Sequence, residues 1–203
     1  MGDAARILVV DIGSVLFAFD PARRLGLLAE RTGLAPDELH ARLFASGFET
    51  RCESGAFTAP EIRREVAGLT GFDGGLEELE ALWTSAFTLD REVLETLSAT
   101  GAVMAVFSNN GPLFADCFDT RFPEAARWFR HRYFACRLGV RKPEDAAFAA
   151  VEQGLKEAFD AAPGDLLLVD DNPDNTATAA RRGWRAHTFT SAEALEAAVT
   201  ARD

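Results

Sequence analysis

The chain has 203 residues, 48% of them hydrophobic, and a formal net charge of −11, with an isoelectric point near 4.8. Length and composition suit one domain with a sizeable core, or a domain carrying an insert, and exclude a disordered, collagenous or low-complexity chain. The acidic balance argues against a protein that grips nucleic-acid backbones, but not against one that binds a small phosphate, because local charge can oppose net charge.

No apolar run approaches the roughly 18 residues that suggest a membrane span. The start, "MGDAARILVV", has neither an h-region nor a cleavage site, so no signal peptide is expected, and no Ser or Thr stands at position six, as myristoylation would require. Cys52, Cys117 and Cys136 are scattered without CxxC spacing. They fit neither a disulfide framework nor a zinc site, which points to a reduced, cytoplasmic setting. His40, His131 and His187 have no metal or triad spacing.

The first element is "ILVV" (7–10), a short strand apolar on both faces that runs into Asp11, with Gly13 two places on. From about 21 to 88 no strong strand appears. Helical patterns lie near 22–31, 36–45, 59–69 and 76–87, and "TAPE" gives Thr58 and Glu61 the spacing of a capping box. "DREVLETLSATG" opens on Asp90 as N-cap and stops at Gly101. "VMAVF" (103–107) is a second strand, ending in Ser108, Asn109 and Asn110. Weaker strands fall at "RYFAC" (132–136) and "RAHTF" (185–189). "PEDAAFAAVEQGL" puts Phe148, Val151 and Leu155 on one helical face. "LLLV" (166–169) is a third strong strand, running into Asp170, Asp171 and Asn172, and a helix follows with Asn172 as N-cap and Pro173 at its first position. A last helix begins at Ser191. The arginines at 23, 24, 51, 63, 64, 181 and 182 read as solvated faces.

Strands alternating with helices predict an α/β fold, a Rossmann-like parallel sheet with helices on both faces. The helical block after the first strand predicts an inserted all-helical cap domain, 20–88, on a core domain of 1–19 and 89–203. Parallel strands put their C-terminal ends on one edge, so Asp11, Ser108, Asn109, Asp170 and Asp171 should share one crevice, with Lys142 of "GVRKPED" between them. Carboxylates gathered there need a cation, and an all-oxygen ligand set suits Mg2+.

"DIGSVLFAFD", "FSNN", "LGVRKPE" and "VDDNPDN", in this order, resemble the four motifs of the haloacid dehalogenase superfamily of phosphohydrolases. The layout resembles its first cap class, and the motifs look most like the branch of small cytoplasmic sugar-phosphate phosphatases that includes an α-D-glucose-1-phosphate phosphatase. The resemblance spans essentially the whole chain. It implies that Asp11 is the nucleophile and a metal ligand, with Gly13 adding a backbone carbonyl and Asp171 a direct carboxylate. Asp170 stands beside it as a ligand or supporting group. Ser108 and Asn109 would bind phosphoryl oxygens, and Lys142 would pair with Asp11 and the phosphate. The expected activity is Mg2+-dependent hydrolysis of a small phosphorylated metabolite through an aspartyl-phosphate, with no nucleic-acid or membrane partner.

One position departs from the resemblance. Many of these phosphatases carry a second aspartate where Gly13 stands, and it protonates the leaving alcohol. Such help is typically worth about 10²–10⁴-fold. Either the leaving group needs less protonation, or another group such as Asp20 substitutes. Competing readings are a metal-independent 2-haloacid dehalogenase, which Gly13 suits and the tandem acids do not, and a non-catalytic phosphate-binding protein.

Overall fold

The structure is a computed structural model, and it describes residues 7–200. Its strands are β1 (Ile7–Val10), β2 (Phe17–Phe19), β3 (Phe87–Leu89), β4 (Val103–Ser108), β5 (His131–Phe134), β6 (Leu166–Asp170) and β7 (Arg185–Thr188). Five of them form one sheet in the order β5-β4-β1-β6-β7, and every pairing in it is parallel. The chain starts in the middle strand, builds outward through β4 and β5, then crosses to the other side for β6 and β7. The reversal puts a crevice at the C-terminal tip of β1, flanked by the tips of β4 and β6.

Side chains alternate across a strand with a period of two, and here both faces are apolar. Leu8, Val10, Met104, Val106, Leu167 and Val169 meet Leu94 and Leu97 of the helix Arg91–Ala99 on one side, with Leu195. Ile7, Val9, Ala105, Phe107, Leu166 and Leu168 meet Phe148, Val151 and Leu155 of the helix Asp145–Phe159 on the other. Each of the larger side chains, fully buried, stabilises the fold by about 1.5–3 kcal/mol before entropy is counted. The cluster on each face holds the strands in register and so holds their polar tips together.

Between β2 and β3 runs the helical block: Pro21–Thr32, Pro36–His40 continuing through a π-helical turn Ala41–Ala45, then Phe48–Glu53, Ala59–Thr70 and Leu76–Thr84. Leu28, Leu39, Leu43, Ile62, Val66 and Leu79 give it a buried cluster of its own, which Leu113 joins from the segment after β4. Glu61 takes both the backbone N–H and the hydroxyl of Thr58, and Asp90 and Asn172 cap their helices as expected.

Local boundaries differ where tertiary pairing outweighs helical pattern. The pattern over 76–87 stops at Thr84, because Phe87 leaves the helix to pair with Phe19 in an antiparallel β2–β3 ribbon. The strand expected at 132–136 ends at Phe134, and Ala135–Leu138 turn helical. The short helix Phe48–Glu53 is an addition to the expected elements; its six residues are too few to show a helical period.

Three of the arginines expected on solvated faces are structural; Arg63, half-buried, donates to the Gly74 carbonyl at 2.8 Å. Arg24 is 3% exposed; its guanidinium lies 4.5 Å from the Phe44 ring and 4.7 Å from Trp83, and pairs with Glu49 at 3.0 Å. Arg182 bonds Glu152 at 2.7 Å, and the same carboxylate takes the Trp184 indole N–H. A planar guanidinium can stack and donate together, which periodicity does not reveal. Among the described residues no helix is long and apolar enough to cross a membrane.

Candidate active site

β1 ends at Val10, and its last bond to β6, from the Asp11 N–H to the Val169 carbonyl, is 2.9 Å long. The chain then turns sharply: the Phe17 N–H donates to the Ile12 carbonyl and the Ser14 N–H to the Phe17 carbonyl, both at 2.8 Å. The residue in the left-handed region is Ser14, at φ 60°, not Gly13. A Cβ placed on Gly13 would meet nothing nearer than the Phe87 ring edge at 3.9 Å. The turn therefore does not require glycine at 13.

Lys142 stands at the centre of the crevice. Its ammonium donates to the Phe107 carbonyl at 2.7 Å and to Asp170 Oδ2 at 2.6 Å, and pairs with Asp11 Oδ1 at 2.9 Å. An ammonium has three donors, so these three oxygens match its capacity. The Lys142 side chain is 1% exposed, Asp170 0% and Asp11 13%. Asp11 is thus the member of this knot that an incoming ligand can reach.

Asp170 is held from the other side as well. Its Oδ1 accepts from the Asn172 backbone N–H at 2.9 Å and from Asn175 Nδ2 at 2.8 Å. Asn109 has a role beyond the one its motif implies: its amide accepts from the Lys142 N–H and donates to the Lys142 carbonyl, each at 2.9 Å. That side chain is held by the lysine backbone, and Asn109 also lines the cleft. Asn110 Nδ2 donates to Ser108 Oγ at 2.9 Å, which leaves the hydroxyl proton for Asp11.

The electrostatics follow from burial and crowding. Burial raises Asp11 above the usual carboxylate range; Asp170 pushes the same way, and Lys142 and Ser108 pull it only partly back. Burial alone would lower Lys142, but Asp11 and Asp170 outweigh it and hold the group charged. Asp171 is raised by burial and then by Asp170.

Oxygens of Asp11, Asp170 and Asp171 lie within 4.8 Å of one another. Three carboxylates around one ammonium leave two negative charges uncompensated. This donor set fits a hard divalent cation with oxygen ligands. The three thiols are all raised by burial and lie outside this cluster.

An open cleft of about 260 Å3 is lined by Asp11, Gly13, Ser108, Asn109, Lys142 and Asp171, together with Phe19, Phe87, Asn110, Asn172 and Asn175. Of the expected site residues, only Asp170 is absent from its wall, sealed beneath it. Asn175 is a site residue that its place at a helix start conceals. It stands three places after the Asn172 cap, so the first helical turn carries it back over Asp170; the spacing in "DDNPDN" is the signal that could reveal it. Phe19 and Phe87 have no local signal, because only the ribbon brings them together.

No protein-family model matches the chain. Solved structures do. A HAD family enzyme from Bacteroides thetaiotaomicron is 20% identical, with a TM-score of 0.76 over 93% of this chain and 95% of that one. The fold is that of the haloacid dehalogenases. A predicted HAD-like family hydrolase from Porphyromonas gingivalis is 23% identical, covering 91% of each chain at a TM-score of 0.73. The L-2-haloacid dehalogenase of Xanthobacter autotrophicus is 17% identical, at a TM-score of 0.61 over 95% of this chain and 81% of that one. The Bacteroides enzyme has also been crystallised with magnesium and inorganic phosphate.

Proposed function

We propose that this haloacid dehalogenase-fold chain is a Mg2+-dependent phosphatase for a small phosphorylated metabolite, a sugar phosphate in the branch its motifs resemble, working through an aspartyl-phosphate. The observation that carries the reading is the Lys142 ammonium pinned between Asp11 and Asp170. A carboxylate that must attack phosphorus has to stay ionised while buried, and a fixed ammonium does this without occupying its reachable face. The magnesium and phosphate bound by the Bacteroides enzyme support the same reading.

In this reading Asp11, Asp171 and the Gly13 carbonyl would hold the cation, with Asp170 beside them. When bound, Mg2+ neutralises the acids and the charge on the phosphoryl oxygens. The Ser108 hydroxyl and the Asn109 backbone N–H receive two of those oxygens, and Lys142 keeps Asp11 charged and aimed. Asp11 attacks phosphorus as the bond to the leaving oxygen breaks, and water then releases phosphate and restores the carboxylate. Positioning and preorganised charge supply most of the rate in such a transfer. The helical block 20–88 is proposed as a cap that excludes water from this step.

A second reading keeps the scaffold and changes the electrophile. Gly13 suits a dehalogenase, in which the aspartate attacks carbon and no acid is needed, and the Xanthobacter enzyme has this fold. The clustered acids favour the phosphatase. The deciding experiment assays phosphate esters and 2-haloacids with Mg2+ and with EDTA, with Asp11→Asn as control. Phosphate release that EDTA abolishes is expected; halide release that survives EDTA would overturn the proposal.

A further inference from the structure

The cleft has two unlike walls. Asp11, Lys142, Ser108 and Asp171 make one of them, charged and hydrogen-bonding. Phe19 and Phe87 make the other, beside Gly13. They are cross-strand partners in the β2–β3 ribbon, with ring centroids 5.0 Å apart. Phe87 is locked from behind by Phe114, 4.6 Å away. Phe19 is 39% exposed, one of two large apolar side chains so exposed among the described residues. An exposed phenyl fixed at the mouth of a polar cleft is a contact surface for an apolar partner.

No carboxylate outside the acid cluster lines the cleft among the described residues. The carboxylates lining the cleft are Asp11 and Asp171, both in the acid cluster. Asp20, the nearest substitute in sequence, does not line the cleft; its Oδ1 caps its own helix, taking the Arg23 N–H at 3.0 Å. Gly13 itself has room for a side chain, since a Cβ there would stand 3.9 Å from Phe87, and its backbone is not in the left-handed region. Its bareness is a chemical property of the site, not a demand of the turn.

We propose that the Phe19–Phe87 wall receives the leaving group, and that the site selects phosphate esters of acidic hydroxyls with a flat or apolar face: phenols, enols or, for a sugar, its anomeric hydroxyl. This rests on the phosphatase reading. As the Asp11 oxygen bonds to phosphorus, the ester P–O bond breaks and its electron pair leaves on the departing oxygen, which takes its proton from solvent afterwards. Esters of primary alcohols, whose oxygen leaves badly without a proton, are poor substrates. Phe19 supplies specificity by stacking on the face of the leaving group.

The test is the full chain with Mg2+ on phenyl phosphates of graded leaving-group acidity and on primary-alkyl phosphates. In the parent protein log kcat/KM should fall steeply as the leaving group becomes more basic. Gly13→Asp should shrink the aryl-to-alkyl ratio by about 10²-fold or more, the size of acid help. Phe19→Ala should raise KM for aryl esters about two- to tenfold, the size of one ring contact, with kcat nearly constant, and Phe19→Leu should recover part of it. A flat dependence in the parent, or a ratio unmoved by Gly13→Asp, would overturn the inference while leaving the phosphatase standing. No turnover of any ester would overturn both.

Discussion

The side-chain amide of Asn109 brackets the backbone of Lys142: its oxygen accepts from the lysine N–H and its nitrogen donates to the lysine carbonyl, both at 2.9 Å. The tip of β4 and the loop that carries the lysine are thereby fastened to each other next to Asp11. Four groups then hold Lys142: this amide, the Phe107 carbonyl, Asp170 and Asp11.

Removing that bracket should misplace the ammonium without removing it. Asn109→Ala is expected to lower kcat about 10²-fold, the size of a shift of about 1 Å in a reacting group, with a much smaller change in KM. Steady-state kinetics on any active ester reads this. Equal effects on kcat and KM with an unchanged pH profile would show that the amide does not position the lysine.

Cation binding should be visible without turnover. A ligand held only by the folded state at about 100 times its Kd adds about 2.7 kcal/mol of stability, so Mg2+ should raise the melting temperature of the resting protein. Asp171→Asn should abolish most of that increment, because it removes a charge from the trio around the site. Melting curves with Mg2+ and with EDTA decide the matter; an equal rise in the variant would remove Asp171 from the ligand set.

Glu53 gives a pH signature. Burial raises its carboxyl to about 7, Glu49 adds to this, and Arg141 and Arg24 only partly offset it. Arg141 lies 2.6 Å from it, across the contact between the helical block and the lysine loop. The folded state prefers the neutral form, so the unfolded chain, titrating near 4.5, loses its proton first. Stability from this group is therefore full below about pH 4.5 and declines until about pH 7. Against Glu53→Gln, the parent should lose relative stability across that window and run parallel outside it. Thermal or urea melts at several pH values measure it, and parallel curves throughout would refute the assignment.

Much of this site was legible in the amino-acid order. The three apolar runs at 7–10, 103–107 and 166–169 could not sit in a half-exposed sheet. Once they are parallel neighbours, Asp11, Ser108 and Asp170 must emerge on one edge, and Lys142, held by a short loop, can reach them. Strand periodicity and the one-sided emergence of parallel strand ends are local rules, so local sequence carries them.

What only the tertiary structure decided is which polar groups touch. The commitment of Asn109 to the lysine backbone, the seat of Asn175 on Asp170, the burial of Arg24 among Phe44 and Trp83, and the aromatic wall of Phe19 and Phe87 all join residues beyond the reach of one segment's pattern. Each depends on distances of a few ångströms between side chains brought together by the fold. Such contacts are set by how whole elements pack, and no periodicity within one segment encodes them.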